Sequence, residues 1–238
     1  MEKLTFKTGL RDGTPIALGY LFVSIGFGIT AINSGLNPLM AIIISATNVT
    51  SAGQVAGVRV LSESVVFLSS ALEMFLTQFV INLRYSLMGI SLSQNTDSSF
   101  DTKNRMICSY SITDEIYAVA STRKSPINVS YFLGLSFLPV IGWTLGTALG
   151  AFVGSSIDPQ VSAIFGLAIY GMFLSIFIPP AKKSKGILLS VILGAIISCL
   201  IYYVPSLSFI SSGFSVIISS LVGASVAAIL LPHKEDEE

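Results

Sequence analysis

Charged residues are scarce in this chain. Only 11% of its 238 residues carry charge, whereas 52% are hydrophobic; soluble domains usually have a charged share of about 25%. Acidic and basic side chains balance at 13 each, and no nucleic-acid partner is expected. The shortage of charge excludes an ordinary soluble domain and indicates a membrane protein.

Residues that bind metals or form redox centres are also few. The single histidine is His233, and Cys108 and Cys199 form no CxxC pattern, so we expect neither a metal site nor a cofactor. No HExxH motif is present. A membrane-embedded enzyme that used Asp114 and Glu115 as acid and base is therefore disfavoured, and no enzymatic activity is predicted.

Three tracts with almost no charge predict most of the membrane spans. Residues 13–58 and 186–232 contain no charged side chain, and only Asp158 interrupts residues 125–181. Each tract can hold two crossings of about 20 residues joined by a tight turn. The turns are expected at Pro38, Pro159 and Pro205, where Gly, Pro, Asn and Asp collect.

Continuous apolar runs favour helices over the alternating strands of a barrel. Residues 59–122 supply a third and a fourth span, of which the fourth, 106–120, is short and polar and could be broken or re-entrant. The sequence therefore predicts an all-α, polytopic transmembrane helix bundle of about eight spans (seven or eight). A weak internal repeat relates residues 26–43 to 146–165.

The basic residues predict the orientation. Clusters before the first span, at Arg59, at Arg123 and at 182–185 all fall on one side of an eight-span protein, and Lys and Arg favour the cytoplasmic side. We predict one membrane domain over 1–238 in the cell membrane, with spans within 13–231. The N-terminus (1–12) and the acidic tail (232–238) are both predicted to be cytoplasmic.

Glycines recur every fourth residue in the fifth predicted span. This spacing places them on one helical face, where another backbone can approach closely. The partner could be a neighbouring helix of the same chain or a second subunit. The glycines are Gly142, Gly146, Gly150 and Gly154.

Ionisable side chains inside spans are the strongest functional signal, because each costs about 2.5–3.5 kcal/mol to insert. Glu73 lies near the middle of the third span, and Asp114 lies in the fourth. Arg84 is the nearest basic partner for Asp114 in sequence. The alternative to a functional role is a structural ion pair, or groups that reach the bilayer edge.

Helical spacing also predicts a polar stripe in the fourth span. Tyr110, Thr113, Asp114 and Tyr117 follow the i, i+3, i+4, i+7 pattern of one helical face, while Glu115 points about 100° away from them. Such a stripe is expected to face a wet cavity or a basic partner.

Polar residues also end the second span. Asn48 and Gln54 stand there, and Gly53 beside Gln54 predicts an interrupted helix, because glycine lowers helix propensity. In carriers, such interruptions free backbone groups that bind substrate near the bilayer midplane.

Five segments in order resemble the AzlC family, the large subunit of branched-chain amino-acid exporters. The resemblance runs from residue 6 to residue 154, and beyond it the chain agrees in hydropathy. The segments are "FKTGLRDGTPIALGYLFVSIGFG", "TSAGQVAG", "INLRYSLMGISLS", "SITDEIYAVA" and "GWTLGTALGAFVG".

The resemblance implies an exporter of Val, Leu, Ile and Met that works with a small membrane subunit of the AzlD type. No P-loop is present, so a secondary carrier driven by the proton gradient is expected. A self-sufficient carrier or channel and a non-transporting structural subunit stay open. The family-like positions are Gly53, Gln54, Asn82, Arg84, Thr113, Asp114, Glu115 and Trp143.

We assign hypothetical roles to these positions and to two others. Substrate binding is expected at Asn48, Gly53, Gln54, Asn82, Arg84 and Trp143. Proton coupling is expected at Glu73, Asp114 and Glu115, because desolvation can raise the pKa of a carboxyl group toward neutrality.

Overall fold

The computed structural model describes residues 4–63, 67–154 and 159–231. These residues fold into ten α-helices and contain no β-strand, which confirms the all-α prediction. The helices are α1 (Phe6–Asn33), α2 (Pro38–Thr47), α3 (Ala52–Glu63), α4 (Phe67–Ser93), α5 (Thr102–Ser109), α6 (Asp114–Ser121), α7 (Val129–Val153), α8 (Pro159–Lys183), α9 (Lys185–Tyr203) and α10 (Ser212–Leu230).

Four of the described helices, α1, α7, α9 and α10, are long and apolar enough to cross a membrane. Helices α4 and α8 have 27 and 25 residues, which also exceeds the length of about 20 that a crossing needs. Helices α2, α3, α5 and α6 are each shorter than the length of about 20 residues that a crossing needs. They form two consecutive pairs, α2 with α3 and α5 with α6. The chain is a polytopic helical membrane protein, and its count of eight crossings stays a prediction.

The predicted turns lie where helices begin. Asn37 caps α2, and Pro38 occupies its first turn, where a missing N–H costs nothing. Pro205 opens a short 3₁₀ segment between α9 and α10. Pro159 begins α8, whereas Asp158, His233 and the acidic tail lie outside the described residues.

The chain divides into two compact units. One comprises Met1–Val55 with Asn82–Tyr170, and the other comprises Ala56–Ile81 with Gly171–Glu238. We refer to them as the first unit and the second unit. The prediction of one membrane domain stays a prediction.

In the first unit, the glycine stripe of α7 faces α1 of the same chain. A Cβ atom added at Gly142 would lie 2.5 Å from the carbonyl oxygen of Ala17, and one at Gly146 would overlap the carbonyl of Leu21. Gly150 and Gly154 continue the contact toward the end of α7. Glycine is required at Gly142, Gly146 and Gly150 because the two backbones touch directly there. A Cβ at Gly154 would meet the Ile29 side chain first, at 3.0 Å.

The contact also shows that α1 and α7 run parallel, since successive glycines of α7 meet successively later residues of α1. Their starts lie together: Asn128 donates to the carbonyl oxygen of Leu4 at 2.7 Å, and Arg123 pairs with Asp12 at 2.5 Å. Parallel spanning helices begin on the same side of the bilayer. An odd number of crossings therefore lies between α1 and α7, which agrees with placing the basic clusters before the two helices on one side.

Candidate functional site

Two interruptions of the helical backbone lie in the first unit. The first interruption, 48–51, separates α2 from α3 and contains Ser51 with a positive φ of 25°. The second interruption, 110–113, separates α5 from α6. The Tyr110 hydroxyl donates to the carbonyl oxygen of Ala46, which joins the second interruption to the helix before the first. Non-helical backbone at membrane depth is tolerated only where protein or a wet cavity surrounds it.

The prediction of a single polar face in the fourth span is wrong. Tyr110 is the C-cap that follows α5, Thr113 caps the N-terminus of α6, and α6 begins at Asp114. Tyr110 therefore does not share a helix with Asp114 and Tyr117. The Thr113 oxygen accepts from the Ile116 N–H, because a threonine at an N-cap satisfies a free backbone donor.

The prediction of an interruption at Gly53 and Gln54 is wrong by a few residues. Both belong to the first turn of α3, where the Gly53 N–H donates to the Thr50 carbonyl at 2.8 Å. Asn48 ends α2 and accepts from the Thr50 hydroxyl at 2.8 Å. The backbone breaks one turn earlier than the glycine because Ser51, not Gly53, takes the left-handed conformation.

A buried hydrogen-bonded ring joins α2, α3 and α7. Gln54 accepts from the Trp143 indole N–H at 2.8 Å and donates to Ser45 at 2.9 Å. Ser45 and Thr147 are 2.7 Å apart, and Thr147 donates to the Trp143 carbonyl at 3.0 Å. All four side chains are buried. Each polar group in the ring has a partner, so the ring fixes the first interruption against α7.

A second polar cluster joins α1 to the start of α6. The Tyr20 hydroxyl lies 2.5 Å from Glu115 Oε2 and 2.7 Å from Thr113 Oγ1. The Tyr20 ring packs edge-on against Trp143 with centroids 5.3 Å apart. Trp143, a member of the buried hydrogen-bonded ring, therefore also contacts the Tyr20–Thr113–Glu115 cluster.

An ion pair joins α4 to α6. Arg84 Nη2 lies 3.0 Å from Asp114 Oδ2, the partner that the sequence suggested. The same nitrogen donates to the Tyr85 hydroxyl at 3.1 Å. Arg84 Nε is buried and has no hydrogen-bond partner among the described residues. Buried donors are nearly always paired, so this one is available to a ligand.

A polar cavity of about 350 Å³ lies beside both interruptions. Thr50 comes from the first interruption and Tyr110 from the second, while Asn82 and Tyr85 come from α4. Ser86, Gly89, Ser109 and Ile112 complete its wall. Its volume lies within the range of about 300–1,000 Å³ typical of small-molecule sites.

An apolar cavity of about 330 Å³ adjoins the polar cavity. The two cavities share Ser86, Gly89, Ser109 and Ile112. Leu92, Phe100 and Phe132 give the second its apolar wall, and Ser93, Thr96 and Arg105 also line it. Together they offer polar groups at one end and an aliphatic or aromatic surface at the other.

Glu73 occupies a different environment, in the second unit. Its Oε1 accepts from the Ser211 hydroxyl and, at 2.9 Å, from the Gly213 N–H. Both donors belong to the start of α10, where Ser211 is the N-cap. A carboxylate at a helix N-terminus satisfies free N–H groups and interacts favourably with the helix dipole.

No group of three or more His, Cys, Asp or Glu residues that could hold a metal occurs among the described residues. Cys108 is buried and Cys199 is exposed.

A sequence model of the AzlC protein matches residues 15–157, which is more than half of the chain. The chain belongs to the AzlC family. The matched range holds both interruptions, the ion pair and the glycine stripe of α7.

Relatives of this family member are membrane proteins. Inner membrane protein YgaZ of Escherichia coli K12 is 25% identical over 209 residues, which cover 84% of both chains. The branched-chain amino acid transport protein AzlC of Bacillus subtilis 168 is 24% identical over 76% of this chain and 69% of its own. An uncharacterized membrane protein of Archaeoglobus fulgidus is 28% identical over 74% and 76% of the two chains. No solved structure matches.

Sequence reasoning missed four residues of the site in this AzlC-family chain. They are Tyr20, Ser45, Tyr85 and Thr147. Serine and threonine often bond to the backbone of their own helix, so nothing in the pattern separated Ser45 and Thr147 from other hydroxyl residues. Tyr20 is one of eight tyrosines, and only its position opposite α6 gives it a role.

Proposed function

We propose that this protein exports branched-chain amino acids as the large subunit of a two-component carrier, with a small AzlD-type membrane subunit and the proton gradient as driving force. Family membership and the printed name of the Bacillus subtilis relative support transport of this substrate class. The observation that carries the proposal is the pair of adjoining cavities beside the two interruptions.

The chemistry of the two cavities suits an aliphatic amino acid. Such a substrate has a carboxylate, an ammonium group and an apolar side chain. The side chain fits the wall formed by Leu92, Phe100 and Phe132. The charged end fits the side of the polar cavity where Tyr85 accepts a hydrogen bond from Arg84.

The ion pair is suited to bind a zwitterion by exchange of partners. The substrate carboxylate would replace Asp114 on Arg84, whose free Nε offers a further donor. The substrate ammonium would then take the place of Arg84 on Asp114. Because the charges stay paired throughout, the exchange avoids the cost of an isolated ion in a low-dielectric site.

A transport assay with matched variants tests the proposal. Proteoliposomes loaded with labelled leucine, valine or isoleucine would contain this chain alone or with its small partner, under an imposed proton gradient. Gly89 lies between the two cavities, and a Cβ there meets only Ile112 at 3.7 Å. Gly89→Leu should fill the cavities and reduce efflux to background, whereas Gly89→Ala should retain it.

The outcomes separate the alternatives. Efflux that requires both subunits supports the two-component carrier, and efflux from this chain alone indicates a self-sufficient one. Absence of amino-acid flux with both subunits present, in folded protein, would contradict the proposal and favour a structural subunit. Equal efflux from both Gly89 variants would place the substrate elsewhere.

A further inference from the structure

The three carboxylates that the sequence suggested for proton coupling have described partners, and the partners differ in one chemical property. Asp114 faces the Arg84 guanidinium, which can only donate hydrogen bonds. Glu73 faces a backbone N–H, which can only donate, and a hydroxyl. Glu115 faces the Tyr20 hydroxyl, which can donate or accept.

This difference determines which carboxylate can gain a proton cheaply. A protonated carboxyl group has an O–H that needs an acceptor. At Asp114, protonation would remove the charge that Arg84 faces and leave a partly buried cation without its counter-ion. That cost opposes proton uptake at Asp114 while the pair is closed.

Glu73 also has a partner that can only donate hydrogen bonds. The Gly213 N–H cannot accept a hydrogen bond. The Ser211 oxygen can accept a second hydrogen bond besides that from the Phe214 N–H. A proton on Glu73 would nevertheless remove the negative charge that faces the Gly213 N–H and the N-terminus of α10.

The Tyr20–Thr113–Glu115 cluster accommodates both states of its carboxylate. With Glu115 charged, Tyr20 donates to Oε2. When a proton from solvent binds Oε2, the new O–H donates to the Tyr20 oxygen, and Tyr20 turns its own hydrogen to Thr113 Oγ1, which lies 2.7 Å away. The number of hydrogen bonds made by the Tyr20 hydroxyl is conserved in this change.

We propose that Glu115, rather than Asp114 or Glu73, takes up and releases the coupling proton. Tyr20 transmits the change in the protonation of Glu115 to Trp143, because the two aromatic side chains are in contact. Trp143 in turn holds the first interruption through its hydrogen bond to Gln54 in the buried ring. The link between this proton and transport rests on the proposed function, whereas the proton site itself can be tested without substrate.

Other titratable groups also act on Glu115. Tyr20 reaches it from α1, Tyr85 on α4 lies within electrostatic range, and Asp114 precedes it on α6 with Arg84 as its counter-ion. Substitution of Asp114 should therefore move the midpoint of the Glu115 transition, whereas substitution of Glu115 should remove it.

Trp143 is the sole tryptophan of the chain and reports the change directly. The full chain in lipid nanodiscs would be titrated without substrate from about pH 4 to about pH 9. The emission of Trp143 should show one transition. Glu115→Gln should abolish it, and Tyr20→Phe should reduce its amplitude.

Matched variants keep the test decisive. Glu115→Asp retains a carboxyl group and should shift the transition without removing it. Glu73→Gln, in the second unit, should leave the transition in place, and Asp114→Asn should displace its midpoint. A Glu115→Gln protein that elutes as wild type in size-exclusion chromatography but keeps an unchanged transition would overturn the proposal. The proposal would also be overturned if the transition were lost in Asp114→Asn but retained in Glu115→Gln.

Transport assays on the same variants separate the two proposals. If the wild-type protein moves no amino acid, the proposed function fails and the fluorescence transition still locates the proton site. If it transports but Glu115→Gln retains full dependence on the proton gradient, the assignment of Glu115 fails and the proposed function stands.

Discussion

The helix pair α9 and α10 of the second unit is more apolar than the pair α1 and α7 of the first unit, yet less of it is buried. In the most apolar window of each helix, 39% of α1 and 50% of α7 are buried, against 6% of α9 and 22% of α10. In the first pair, added Cβ atoms on the α7 glycines would overlap carbonyl groups of α1. The second pair is looser: a Cβ on Gly223 of α10 would lie 3.0 Å from Gly194 N, and one on Gly194 would lie 3.6 Å from the Ser219 carbonyl.

The difference separates two uses of an apolar helix in a membrane. Lipid is as apolar as leucine, so helices gain little by leaving it unless backbones pack closely or polar groups meet. Helices α1 and α7 do both, and they carry Tyr20, Trp143 and Thr147 of the site. Helices α9 and α10 expose most of their apolar surface.

The largest expected effect comes from filling the close contact. Gly146→Ala places a methyl group against the Leu21 carbonyl and the Ser24 hydroxyl, and such overpacking costs about 1–3 kcal/mol or more. Thermal stability of the purified protein, measured by size-exclusion chromatography after heating, should fall sharply. Gly194→Ala is the matched control and should change it little. Equal losses of thermal stability in the two variants would show that the closer packing of α1 and α7 does not contribute more to stability than the contact between α9 and α10.

A smaller effect is expected from opening the buried ring. Gln54→Leu leaves the Trp143 N–H without its acceptor and removes the donor to Ser45, and an unsatisfied buried group costs about 1–3 kcal/mol. Trp143 fluorescence should change as its indole loses that bond, and transport should decline. Gln94→Leu, in the turn after α4, is the control. An unchanged emission spectrum in Gln54→Leu would contradict the role of the ring.

The smallest effect should come from the cap of α10. Ser211→Ala removes both the N-cap and a donor to Glu73, and loss of a serine cap costs about 0.5–2 kcal/mol. The same heating assay should show a modest loss of stability. Transport at low temperature should persist, since the cap lies outside the first unit. Complete loss of transport in folded Ser211→Ala protein would show that Glu73 acts in the transport cycle.

Sequence patterns were most successful where one physical quantity decides the structure. The turns at Pro38 and Pro205 and the glycine stripe of α7 were predictable, because proline, helix period and backbone size act locally. The fourth span was harder. Its i, i+3, i+4, i+7 pattern suits a continuous helix, yet Thr113 stops and restarts the helix as an N-cap.

The sequence predicted which residues belong to the candidate site better than it predicted which of them contact each other. Arg84 and Asp114 stood out because charge in a span is costly, and they contact each other. Gln54 and Trp143 were expected to bind substrate, but the structure places them against each other in a buried ring. Hydropathy does not encode which polar side chains of different helices meet.

The sequence by itself determined that this protein is a helical membrane protein and approximately where its apolar segments begin and end, because bilayer thickness and backbone hydrogen bonding set the length and type of each segment. Tertiary structure alone decided that Tyr20 faces Glu115 and that Glu73 caps α10. Those partners depend on how each helix is rotated against its neighbours, and a hydrogen bond is sensitive to shifts of a few tenths of an ångström.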